Sequence, residues 1–175
     1  MARPARIELN TAALLHNITR VKAHAPGQSV IAMVKGNAYG CGIAVVVPVL
    51  DAVVDAFGVA SIEEAKAARM HTNKPCILLG GIFSEDELSE IVDYQLDVVV
   101  HHKMQLQWLL NTRLKTAIRV WVKVDTGMHR LGLMPDELGG VITALNACKW
   151  VQPDIGVMTH LASVDTPEAP QNQLQ

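Results

Sequence analysis

Apolar residues come in short runs, and between the runs they recur at a helical spacing; the two patterns alternate along the chain. The runs at 30–34 (VIAMV), 56–60 (AFGVA), 76–79 (CILL), 96–100 (LDVVV) and 118–124 (IRVWVKV), and one near 155–159 (IGVMT), predict strands. They are short, β-branched and apolar on both faces, as strands are when helices cover a parallel sheet. Residues 5–9 predict a further extended piece before the first helix. In that helix Asn10 or Thr11 can cap, and Leu14, Ile18 and Val21 share one face. The stretch 43–54 reads as an apolar helix, but Pro48 costs about 3 kcal/mol in a helix interior, so its regular part can begin near the proline instead. SIEE at 61–64 and SEDE at 84–87 are capping boxes and predict helices starting at Ser61 and Ser84. Two more helices are expected around 104–110 and 136–147.

This β-then-α order fits either an open doubly wound sheet or a closed eight-fold barrel, and periodicity does not choose between them. No GxGxxG follows any strand, which removes the main support for a dinucleotide-binding open sheet. The chain has 175 residues, enough for about six β/α units, whereas a complete barrel has eight and typically ~250 residues. Its last residues, DTPEAPQNQLQ, carry two prolines and then a polar stretch that can open another helix, so the pattern is expected to break off mid-barrel.

Composition narrows the function classes. With 15 Lys plus Arg against 17 Asp plus Glu and no basic block, a nucleic-acid partner is not expected. The longest apolar stretch, 43–50, is far shorter than the roughly 18–20 residues that cross a bilayer, so no membrane association is expected, and the N-terminus lacks an apolar signal core. Three widely spaced cysteines with no CxxC pair argue against a disulfide framework or a structural zinc site and fit a reducing cytoplasm.

Three stretches carry candidate chemistry. In a barrel, reactive groups gather at the C-terminal ends of strands. Lys35 is at such an end, with Tyr39 four residues on in a glycine-containing loop. A lysine partly shielded from water can attack an aldehyde and hold it as a Schiff base, which suits pyridoxal phosphate; Tyr39 and loop amides would supply donors to the phosphate. Alternatively the lysine snorkels out of the strand end and the tyrosine packs on the rim. In VWVKVDTGMHRLG at 120–132, Lys123, Asp125, His129 and Arg130 crowd a strand end and the turn at Gly127. Arg130 either grips a carboxylate in two parallel hydrogen bonds or pairs with Asp125 or Asp136 on the surface. In VMTHLASVD at 157–165, His160 closes a strand, where an imidazole can stack on a flat ring, move a proton or simply hydrogen-bond a loop. His101 and His102 are adjacent and point opposite ways on an extended chain, and no HExxH or GxSxG is present, so no metal site is expected.

Together these stretches resemble the alanine racemases, pyridoxal-phosphate enzymes built on a (β/α)8 barrel followed by a β-domain. The family's VVKANAYGHG stands here as MVKGNAYGCG, VDTGMHRLG matches its second block residue for residue, and THLASVD is similar to its third. Gly36 for Ala and Cys41 for His are departures; the first is expected to loosen the backbone beside the lysine. The resemblance implies an incomplete (β/α)8 TIM-type barrel over 1–175 with the β-domain absent. It further implies that Lys35 carries pyridoxal 5'-phosphate and is the base on one face of the substrate's α-carbon, and that Tyr39 binds the cofactor phosphate. Arg130 would hold the cofactor's phenolic oxygen or the carboxylate of the alanine substrate, Lys123 would position that arginine, and His160 would lie against the pyridine ring. In the family the second base comes from the C-terminal domain of the partner subunit in a homodimer, so little racemase activity is expected of this chain alone. A non-racemising pyridoxal-phosphate carrier is the alternative.

Overall fold

Short β-branched runs become strands because the pleated backbone accommodates their branched side chains, and helices cover their faces. The computed structural model describes residues 7–175. It contains α1 (Thr11–His24), β1 (Ile31–Met33), a single turn α2 (Lys35–Tyr39), α3 (Ile43–Leu50), β2 (Ala56–Val59), α4 (Ile62–Arg69), β3 (Cys76–Leu78), α5 (Glu87–Asp93), β4 (Asp97–Val100), α6 (Lys103–Asn111), β5 (Val120–Lys123), a 3-10 turn at Pro135–Glu137, α7 (Leu138–Ala147), β6 (Gly156–Met158) and α8 (Gln171–Leu174). Each run predicted as one of the six strands forms one, trimmed by one to three residues. Ile7, Glu8 and Leu9 form no strand, and Ala5 and Arg6 of that expected piece lie outside the described residues. The chain divides into two compact units, Met1–Ile77 and Leu78–Gln175, with β3 at the junction.

In the first unit β1 pairs in parallel with β2, Ile31 opposite Ala56 and Met33 opposite Gly58. The Val34 amide extends that ladder to the Gly58 carbonyl at 2.8 Å. Every residue of β2 is buried, Phe57 completely. Asn10 caps α1, its Oδ1 accepting from the Ala13 amide at 2.9 Å. Helix α3 starts at Ile43, ahead of Pro48, and stops two residues beyond it. Burial of Ile43, Val46, Val47 and Leu50 on one face, at roughly 1.5–3 kcal/mol each, outweighs the single proline. Ser61 caps α4 as the box predicts, but Glu64 does something the motif does not specify, described below.

In the second unit β4 pairs with β5 and β5 with β6, both in parallel. β4 is buried throughout, whereas β5 alternates, Val120 and Val122 buried and Trp121 and Lys123 half-buried on the other face. The Trp121 indole donates to Asp97 Oδ2 at 3.1 Å and lies under the Arg119 guanidinium, 5.2 Å away. β6 begins with a glycine because a Cβ on Gly156 would fall 2.7 Å from Trp121 Cζ3 and closer to two other ring carbons. Helix α5 starts at Glu87, three residues after the predicted Ser84. Glu87 reaches back to the Phe83 amide at 2.8 Å, one residue short of the Ser84 amide that the box would use, and 83–86 is bend and turn rather than helix, so the predicted box does not form.

Candidate active site

Lys35 follows the buried Val34 at the C-terminal end of β1 and is half-buried. Beyond it the backbone turns left-handed for five residues, with φ of 61° at Gly36, 52° at Asn37, 54° at Ala38, 53° at Tyr39 and 86° at Gly40. Three of these are not glycine, and a left-handed conformation costs an L-residue about 1–2 kcal/mol. Strain of that size persists only where surrounding contacts over-determine it. Those contacts are present. The Ala38 amide donates to the Val34 carbonyl at 2.7 Å, and the Gly40 amide to Gly36 at 2.9 Å. Asn37 Oδ1 accepts from the Ile43 amide at 2.9 Å, fastening the turn to the start of α3. The Glu64 carboxylate accepts from Gly36 N at 2.6 Å and Asn37 N at 3.2 Å on Oε1, and from Ala60 N at 2.9 Å on Oε2. Charge-assisted bonds of this kind contribute roughly 1.5–3 kcal/mol each, enough to offset the strain. The turn leaves Tyr39 68% exposed and, among the described residues, leaves the Lys35 amine with no hydrogen-bond or ion-pair partner. Gly36 is therefore not a loosened position: it is fixed in the same left-handed turn, and a Cβ there would meet nothing within 4 Å.

The second unit holds the other three candidates at the C-terminal ends of β5 and β6. Lys123 is the last residue of β5 and half-buried. The following loop folds back on the strand, Leu133 N donating to Lys123 O and Asp125 N to Leu133 O, both at 2.9 Å. Asp125 organises the tip: one carboxylate oxygen accepts from the Gly127 and His129 amides at 3.0 Å each, and the other lies 3.3 Å from His129 Nδ1. The His129 amide, then that of Gly127, hold its carboxyl below the ordinary aspartate range. With Asp125 so engaged, Arg130 is exposed and, among the described residues, has no ion-pair partner, so neither surface pairing considered for it forms. Thr126 and Thr159 share a hydroxyl hydrogen bond of 2.7 Å, and Thr159 Oγ1 also donates to the Val124 carbonyl at 3.0 Å. His160, exposed, therefore follows a residue tied to the β5 loop. Gln175 donates to Thr126 Oγ1 at 3.2 Å and to the His160 carbonyl at 3.1 Å.

Among the described residues, Lys35 and Arg130 carry no ion pair at their strand ends, and an amine and a guanidinium so placed can receive an aldehyde, a phosphate or a carboxylate. Residues 9–175 match the family model described as alanine racemase, N-terminal domain. The chain belongs to the alanine racemase family. It is 54% identical, over 100% of its length and 49% of the relative's, to alanine racemase from Legionella pneumophila (strain Lens), and 44% identical to that from Acidithiobacillus ferrooxidans, covering 48% of it. Biosynthetic alanine racemase from Pseudomonas aeruginosa superposes with a TM-score of 0.90 at 33% identity, over 94% of this chain and 46% of that one. The chain spans about half the length of the curated relatives it matches. Its fold is accordingly an incomplete (β/α)8 barrel of six β/α steps. Among the described residues no group of His, Cys, Asp or Glu could hold a metal ion, and no helix is long and apolar enough to cross a membrane.

Sequence reasoning picks out the ends of the strands but misses Glu64 and Asn37. Glu64 is hidden by its own motif, since a Glu three residues after an N-cap Ser reads as ordinary helix capping. His101 and His102 prove structural: His101 Nε2 lies 2.8 Å from the Gly80 carbonyl, and His102 Nδ1 caps α6 through the Met104 amide at 3.2 Å.

Proposed function

We propose that this chain is the cofactor-binding part, spanning 1–175, of an alanine racemase that interconverts L- and D-alanine using pyridoxal 5'-phosphate, the racemisation belonging to the whole homodimeric protein in the cytoplasm. The observation that carries the reading is the Lys35 amine, unpartnered at a strand end and followed by a strained, rigidly held turn. By their chemistry the candidate residues would serve the cofactor, the Lys35 amine its aldehyde, the Tyr39 hydroxyl its phosphate, Arg130 its phenolic oxygen or the substrate carboxylate, and the His160 imidazole the face of its ring. When bound, the cofactor withdraws electrons from the α-carbon of an attached amino acid and so acidifies its proton. Lys35 would take that proton at one face of the carbon through Nζ, and return it in the reverse direction. Lys123, half-buried at the base of the β5 loop, would support the position of Arg130. Asp125 does not compete for the guanidinium, because its oxygens are held by Gly127 and His129.

The test is covalent capture. Pyridoxal phosphate added to the purified chain should give a visible absorption band, and borohydride reduction should fix the adduct on the peptide that contains Lys35. Lys35→Ala should lose both. An adduct of equal yield in the Lys35→Ala chain would overturn the assignment.

A further inference from the structure

Resting on that reading, we infer that Glu64 is the positioning residue of Lys35. The lysine backbone is clamped on both sides. On one side Val34 N bonds the Gly58 carbonyl at 2.8 Å; on the other Gly36 N bonds Glu64 Oε1 at 2.6 Å. The same carboxylate holds Asn37 N and, through its other oxygen, Ala60 N just beyond β2, so a single side chain joins the ends of the two paired strands. Glu64 can do this because Ser61 caps α4: Glu64 N approaches Ser61 Oγ at 3.5 Å, which places its side chain in the first helical turn, facing back toward the strand ends. An acidic group there is also favoured by the helix dipole. Two oxygens serve three amides, a demand only a carboxylate meets, since the amide nitrogen of glutamine would face an N–H. Without the clamp, the left-handed turn at 37–39 keeps its internal bonds and the Asn37 bond to Ile43 but loses its charge-assisted hold, and a right-handed or extended relaxation would carry the Lys35 amine and the Tyr39 hydroxyl away from their present directions.

Backbone amide exchange in the purified chain, resolved residue by residue, reads the clamp without any cofactor. The Gly36, Asn37 and Ala60 amides should be protected, and should exchange at least ten-fold faster in Glu64→Ala while those of α1 keep the parent rate. Glu64→Gln should free one side only, Gly36 and Asn37 or Ala60. Glu63→Ala, one residue away on α4 and exposed, should change none of them. Pyridoxal phosphate is then added and trapped with borohydride; the share of adduct on Lys35 relative to other lysines should fall at least five-fold in Glu64→Ala. Unchanged exchange at all three amides in Glu64→Ala would sink the clamp. Faster exchange with parent-level capture at Lys35 would make Glu64 merely structural and overturn the positioning role. Protected amides in a parent chain that forms no Lys35 adduct would overturn the cofactor reading and the positioning role together, and the exchange pattern tells that case from the others.

Discussion

Gly132 closes the loop that carries Arg130, and replacing it with alanine should be among the costliest single-methyl additions in the chain. Its φ is 140°, a conformation L-residues avoid. A Cβ would fall 2.8 Å from the Val124 carbonyl carbon, 2.9 Å from Asp125 Cα and closer still to Asp125 N. These are backbone atoms of the strand end, so no side chain can swing aside. Holding alanine in that conformation costs about 1–3 kcal/mol. The alternative is to push the loop off β5, which breaks the 2.9 Å bonds from Asp125 N to Leu133 O and from Leu133 N to Lys123 O; two such bonds are worth about 1–3 kcal/mol net. By either route the cost is roughly 1–3 kcal/mol, which with a urea slope of about 2–3 kcal/mol per molar lowers the unfolding midpoint by about 0.3–1.5 M. Gly140, in the first turn of α7 with no neighbour near its Cβ position, is the counterpart. There the same methyl should stabilise by about 0.5–1 kcal/mol. Urea denaturation followed by circular dichroism on Gly132→Ala, Gly140→Ala and the parent decides the matter. A Gly132→Ala midpoint equal to the parent's, or the same sign of change for both variants, would refute the geometric reasoning.

Two further outcomes are expected. Asp125 titrates below the ordinary carboxylate range because the His129 and Gly127 amides bind its charged form; its stabilisation is therefore complete above the unfolded value, near pH 4, and is lost as pH falls through the lowered folded value. Stability measured from about pH 5 down to about pH 2 should fall less steeply in Asp125→Asn than in the parent, Glu137 contributing equally to both, and parallel curves would contradict this. Gly36→Ala restores the residue of the family pattern, keeps the amide that Glu64 accepts and meets no neighbour, so it should cost only about 1 kcal/mol in thermal or urea unfolding and leave pyridoxal phosphate capture at Lys35 intact. Loss of capture would mean that glycine is needed there for more than its backbone freedom.

The hydrophobic pattern by itself determined the order of strands and helices, since an apolar β-branched run such as 98–100 has one favourable fate, burial in a parallel sheet. Local polar spacing fixed the caps at Asn10 and Ser61 for the same reason: a side-chain oxygen and the amide it serves lie within one turn. Where two local signals competed, the fold decided. Pro48 yielded to the burial around it, and Ser84 to a turn that places the helix start at Glu87. The motif around Lys35 marked the lysine but could not disclose the left-handed path of 36–39, because nothing in GNAY prefers it strongly enough. That path is held in part by Glu64, 28 residues from Gly36, which brings a charge to the Gly36 and Asn37 amides. Spacing along a chain encodes contacts within a turn, whereas a strained backbone needs partners from another element, and only the folded molecule brings those within hydrogen-bond reach.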